Sequence, residues 1–194
     1  MLKCWLKRLL PPKHRRDAEH RIAPAIRLHD LSGYPEGDVI FIDATASDVA
    51  RAVEAWAWLL PDEATIIAVS ALGDIVFEDE AGGIKLLSSS LNGDILLIAP
   101  DMGAFHEKML EENFRDEWFL TGLMVGARRA GLTLQLQECY SFQIPPILGG
   151  EISVGNMVKL PLVAQMAVAS QIHRQVSQMS PGIAATSRSS TAAT

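Results

Sequence analysis

A chain of 194 residues and 21.1 kDa has room for one ordinary domain with short appendages. With 48% hydrophobic and 21% charged residues it lies outside the disordered, collagen-like and disulfide-scaffold classes, and no apolar run approaches the roughly 20 residues that cross a bilayer. The net charge of −6 divides unevenly: residues 1–29 carry eight Lys/Arg against Asp17 and Glu19, whereas residues 30–194 carry 9 Lys/Arg against 21 Asp/Glu. So acidic a body repels phosphate backbones, which argues against nucleic acid as a direct ligand and favours basic partners.

Met1–Leu10 places Leu2, Trp5, Leu6, Leu9 and Leu10 at helical spacing opposite Lys3, Lys7 and Arg8, and Pro11-Pro12 stops the pattern. Residues 1–21 therefore read as a basic amphipathic leader. Any membrane contact through one such short helix would be weak, and the charges within the run do not fit a secretory signal. Gly37–Phe41, Gly73–Phe77 and Gly93–Leu97 repeat a Gly-Asp turn followed by an apolar run, the signature of a strand start. Thr45–Leu60 is expected as a helix capped by Thr45 or Ser47, burying Val49, Val53, Trp56 and Leu60 and ending at Pro61. Thr65–Ala71 and Ile84–Leu87 add two strands, with Glu78–Gly83 as an acidic turn and Asn92-Gly93 as a hairpin signal, which predicts an antiparallel meander over residues 65–99.

Residues 102–130 read as a helical pair divided near Asn113–Asp116, with Phe105, Met109 and Leu110 on one apolar face, Phe119, Leu123 and Ala130 on the next, and Gly131 as the stop. Arg128 and Arg129 fall where cations offset the carbonyl end of the helix dipole, and Gly122 and Gly126 call for close packing against the sheet. Glu138–Gly150, with two aromatics, Pro145-Pro146 and Gly149-Gly150, is expected as a buried irregular crossing in which at least one glycine takes a positive φ or a close contact. Pro161 opens a last amphipathic helix through Leu162, Met166, Ala169, Ile172 and Val176, and residues 180–194 have the composition of a disordered tail.

Catalytic and ligand signatures fail at defined positions. His106-Glu107 begins a zinc helix, but Leu110 stands where the second imidazole belongs. Gly150 and Gly155 have P-loop spacing, but Asn156 and Met157 replace the Lys and Ser/Thr that hold phosphate and magnesium. Cys4 and Cys139 lie 135 positions apart with no CxxC or Cys/His spacing; this supports neither structural zinc nor a disulfide framework and suits a reducing cytoplasm. Cys139 reads as a structural thiol. No catalytic, cofactor-binding or metal-ligating residue is expected, nor any cofactor.

One segment carries a family resemblance. Glu138-Cys139-Tyr140-x-Phe142 leads into Pro145-x-x-Leu148-Gly149-Gly150, then Asn156-Met157-Val158-Lys159-Leu160 and the last helix, with Ala71-Leu72-Gly73-Asp74 and Gly93-Asp94 upstream. This pattern resembles the C-terminal domain of type VI secretion DNase-immunity proteins, over roughly residues 55–178. Residues 22–60, ending in Leu60-Pro61-Asp62, resemble a shortened GAD-like region. The resemblance implies an α+β, SUKH-like single domain, a mainly antiparallel sheet flanked by helices, with residues 61–179 as the immunity-type unit. It also implies a non-enzymatic cytoplasmic protein that binds and neutralises a cognate toxin, with a nuclease as the expected target. The competing reading is a housekeeping or regulatory ligand-binding module on the same scaffold.

A nuclease channel must be basic to hold phosphate, so an inhibitor that covers it needs carboxylates. The best-placed are Glu78, Asp79 and Glu80 in the acidic turn, with Glu107, Glu111 and Glu112 opposite Phe105 and Met109. A solvated turn and helix face would look the same in sequence.

Overall fold

The structure, a computed structural model, describes residues 24–179, so the leader and the tail lie outside the described residues. In chain order its elements are β1 (Ala25–Ile26), α1 (Gly37–Ile40), α2 (Ala46–Glu54), β2 (Thr65–Val69), β3 (Ile75–Glu78), β4 (Ile84–Leu87), β5 (Ile95–Ala99), α3 (Met102–Lys108), α4 (Glu112–Phe119), α5 (Thr121–Arg129), β6 (Glu138–Phe142), β7 (Met157–Pro161) and α6 (Leu162–Met179). The strands β1 to β5 form one sheet in sequence order, antiparallel except for the parallel β1–β2 pair, and β6 and β7 form a separate antiparallel ribbon. The expected α+β class and the 65–99 meander are both present.

Period-two alternation divides the core between the two faces of the sheet. Val76, Ile84 and Leu86 pack with Phe105, Phe114, Phe119 and Met124 from α3, α4 and α5. Ile75, Phe77 and Leu87 pack with Val53 and Trp56, and with Leu162 and Met166 of α6. Central strands buried on both sides read as continuous apolar runs, as Ile75-Val76-Phe77 does.

Five expectations need correction. Gly37–Phe41 is a helical turn and not a strand start: Glu36 enters it in the left-handed region (φ 57°), and a Cβ on Gly37 would lie 2.1 Å from the Leu31 carbonyl oxygen. Helix α2 stops at Glu54, although Thr45 caps it and Val49, Val53, Trp56 and Leu60 are all buried as expected. Ser170 Oγ takes the Ala55 carbonyl (2.6 Å), and the chain continues in tighter i→i−3 turns such as Trp56 N to Val53 O.

Residues 102–130 form three helices, with breaks on either side of the expected one. Arg115 Nη1 donates to the Met109 carbonyl (3.0 Å), while Leu120 turns left-handed (φ 52°) and Asp116 Oδ1 accepts from Gly122 N (2.8 Å). Gly122 and Gly126 face Asp116 and Val154 rather than the sheet. Finally, Glu138–Phe142 is a regular strand paired with β7 through all five positions, and residues 143–156 form an open loop whose Ile144 and Leu148 are 56% and 57% exposed. Of the glycines there, Gly149 does take a positive φ (91°), and Gly150 sits against the Ile144 carbonyl.

The C-terminal helix is locked to the sheet by His173, which is buried, lies 5.5 Å from the Trp56 ring and donates Nε2–H to the Ser89 carbonyl (3.0 Å). Burial holds its pKa below 6.5, opposed by the Ser89 carbonyl and Asp94. A depressed imidazole pKa means that the unfolded chain binds more protons, so this contribution is present above pH 6.5 and is lost as pH falls through the folded-state value. Urea midpoints of the parent should therefore fall between pH 7.5 and 5.5, and His173→Gln should reduce that difference. Identical pH slopes for the two proteins would remove His173 as the cause.

Candidate functional site

The acidic turn is built around Asp79. Its Oδ1 accepts from Ala81 N (3.0 Å) and Gly83 N (2.9 Å), its Oδ2 pairs with Lys85 Nζ (2.7 Å), and Gly82 supplies the positive φ (84°) that closes the loop. The Lys85 hydrogen bond, followed by that from Gly83, keeps the Asp79 carboxyl below the usual carboxylate range. Asp79 thus shapes the hairpin with a charge already matched, while Glu78 is half-buried and Glu80 exposed.

The other three carboxylates lie along the helical side. Asp101 caps α3 by accepting from Ala104 N (2.8 Å), Phe105 and Met109 turn inward, and Glu107, Glu111 and Glu112 stay exposed. Glu112 lies in the first turn of α4, where a negative charge suits the helix dipole. The Ile84↔Ala99 register sets the start of β4 beside the end of β5, so the acidic turn and the entrance to α3 share one end of the sheet. Among the described residues, Glu78, Glu80, Glu107, Glu111 and Glu112 make no ion pair.

Two exposed apolar residues sit in these surroundings, and one of them, Leu110, corrects the expectation that it shares the apolar face of Phe105 and Met109. Leu97 is 59% exposed on the edge strand β5, with its Cδ1 3.1 Å from where Gly83 would carry a Cβ, and Leu110 is 64% exposed between Glu107 and Glu111. An apolar run such as Ile95-Leu96-Leu97 reads as buried in sequence; only the strand order makes β5 an edge. Exposed apolar side chains beside carboxylates that make no ion pair among the described residues have the anatomy of a protein-binding surface.

Elsewhere several ionisable groups hold the fold together. Arg128 pairs with Asp38 of α1 at 2.8 Å, a partner that helix-dipole reasoning did not anticipate, and the two line a cavity of about 280 Å³ with Glu138 and Tyr140. Arg115 is buried between Glu36 and the Met109 carbonyl. Asp74 is buried among Ser70, Ser89 and Ser90, and desolvation raises its pKa despite the bonds they donate. His173 meets the Ser89 carbonyl, not its hydroxyl, which donates to the Gly73 carbonyl (2.8 Å), so His173 does not serve Ser89 as a base. Cys139 is fully buried, and desolvation pushes its thiol up to about 12, which leaves it inert at neutral pH. Among the described residues, no three His, Cys, Asp or Glu side chains gather to hold a metal ion, and no helix is long and apolar enough to cross a membrane.

Residues 99–173, from the end of β5 into α6, match the family model described as the C-terminal domain of the type VI secretion immunity protein Tdi1. No curated protein matches the chain. Among solved structures, the crystal structure of Atu4351 from Agrobacterium tumefaciens is similar at 24% identity and a TM-score of 0.39, over 64% of this chain and 62% of that one. The chain thus spans less than two thirds of the length of that protein.

Proposed function

We propose that this chain is an immunity protein that binds and neutralises a cognate toxin of a type VI secretion system. The observation that carries this reading is the match of residues 99–173 to the immunity family. The acidic, partly apolar surface at one end of the sheet supports it from the side of chemistry. In this reading the target is a nuclease, and Glu78, Glu80, Glu107, Glu111 and Glu112 cover its basic channel, with Leu97 and Leu110 as the apolar centre of the contact. The protein acts in the cytoplasm by stoichiometric association and performs no reaction of its own. Residues 22–60 are a shortened GAD-like region and residues 61–179 the SUKH-like immunity unit. Asp79 supports the surface from within its turn.

The test is whether a toxin is encoded beside this chain's gene, and whether the chain co-purifies with that toxin and protects cells from it. Glu78→Lys with Glu80→Lys should slow association roughly tenfold at low salt, because opposite charges steer the encounter, and should leave the melting temperature unchanged. The parent's association rate should fall as salt rises and approach that of the variant. Equal rates at low salt would move the interface elsewhere. Failure of the parent both to bind and to protect would refute the immunity reading.

A further inference from the structure

The charges of this protein stop abruptly at β6. Residues 24–138 carry 20 Asp/Glu and 7 Lys/Arg, whereas residues 139–179 carry only Glu151, Lys159 and Arg174. Lys159 is already paired with Glu138 at 2.9 Å, which leaves one acid and one base and no net charge. This charge-poor stretch is not buried. Ile144, Leu148 and Ile152 on the β6–β7 loop and Val168 on α6 are each more than half exposed.

The loop that carries these side chains is held in a single shape. Asn156 accepts from Ile144 N (3.0 Å) and donates to the carbonyls of Ile144 and Glu151 (2.8 Å each), while Gln143 N donates to the Asn156 carbonyl (2.7 Å). Directly beside it lies a cavity of about 360 Å³ between the loop and α6, walled by Pro145, Val168 and Ile172, with Gln165, Ser141 and the imidazole of His173 among its polar groups. Fixed apolar projections and a recess of matching character therefore occur side by side on one face.

We propose that this face is the contact of a homodimer, in which the β6–β7 loop of each copy enters the cavity of the other. A two-fold contact requires one patch to be complementary to itself, and a projection beside a recess meets that requirement. Charge selects the same occupant. Among the described residues, the acidic part up to β6 repels a second copy, and this face is nearly free of such repelling charge. A basic toxin would instead be drawn to the acidic end of the sheet. Depletion of charge at the centre is also what distinguishes interface cores from ordinary surface.

Sedimentation equilibrium on the full chain tests this directly, from about 1 to 200 µM, with hydrogen exchange on the same samples. The parent should sediment at twice the 21.1 kDa chain mass, and exchange at residues 144–152 should slow as concentration rises. Leu148→Asp and Val168→Asp, on separate elements and both exposed, should each weaken the dimer at least tenfold without changing circular dichroism or melting temperature. Salt should tighten the dimer, because it screens the repulsion between two acidic bodies. A parent that is monomeric throughout overturns the proposal. If loop exchange is slow in that monomer, the face is covered by the chain's own terminal segments; if it slows only on adding toxin, the face belongs to the toxin. A dimer that survives both substitutions, or that weakens with salt, equally overturns it. The oligomeric state itself does not bear on toxin protection, so the immunity reading stands or falls separately.

Discussion

Asp74→Ala should lower the unfolding free energy by about 3 kcal/mol, which for a chain of this size is roughly 6–12 °C in melting temperature. Asp74 is buried where the β2–β3 turn meets the segment after β4, and its two oxygens accept from Ser90 N (2.8 Å), Ser90 Oγ (3.1 Å) and Ser70 Oγ (3.3 Å), with Ser89 Oγ at 3.4 Å. The hydroxyls can turn to other acceptors, but the Ser90 N–H cannot, and a buried donor without a partner costs about 1–3 kcal/mol. The cavity and the loss of the tie between two turns add the remainder. Asp74→Asn keeps one accepting oxygen but sets an amide N–H₂ against these donors, so it should fall between the parent and Ala. Acid should act in the opposite sense. With its folded-state pKa raised, Asp74 binds its proton more tightly in the fold than in the unfolded chain, and its contribution improves as pH falls through the folded-state value toward 3.8. Urea melts at pH 7 and pH 4.5 check both statements. A midpoint unmoved by Asp74→Ala would mean that the serines satisfy one another without it.

Gly150→Ala should cost about 2–4 kcal/mol, and Gly149→Ala only about 1 kcal/mol, although the two residues are adjacent. At Gly149 the difficulty is conformational: its φ is 91°, and no atom lies within 4 Å of the added Cβ. At Gly150 the difficulty is contact. A Cβ there would stand 1.8 Å from the Ile144 carbonyl oxygen and 2.6 Å from its carbon, and the Asn156 amide that binds this carbonyl is 3.0 Å away on the same side. Backbone cannot move aside as a side-chain tip can, so the whole Ile144–Asn156 clamp must shift. Thermal melts of the two single variants give the comparison, and Gly150→Ala should also weaken self-association by displacing Ile144 and Leu148. If both variants melt within a degree of the parent, the loop opens independently of the core and the clamp contributes nothing to global stability.

The helical breaks show where one-dimensional reasoning failed. The stop between α3 and α4 depends on Arg115 reaching back to the Met109 carbonyl while Glu36, 79 positions earlier, holds its charge. Similarly, α2 loosens where Ser170, 115 positions later, takes the Ala55 carbonyl. Local propensity has no view of either partner. The candidate site divides in the same way. The exposure of Glu80, Glu107, Glu111 and Glu112 was legible because turns and outward helix faces follow from pattern, but the matched charge of Asp79 and the exposure of Leu97 and Leu110 were not.

By itself the sequence determined what depends on neighbours in the chain: the antiparallel meander, the buried positions of α2 by helical period, a cap at Thr45 or Ser47, the left-handed glycines and the failure of each catalytic motif. Its pattern also carried the family resemblance, which rests on the order of residues from Glu138 to Leu160. Only the tertiary structure decided which strand lies at the edge, that Glu138–Phe142 pairs with β7, and that the apolar loop after it faces outward. An apolar side chain has the same composition whether it is buried or offered to a partner; what separates the two is whether the fold brings other atoms to cover it, and for Ile144, Leu148 and Ile152 it does not.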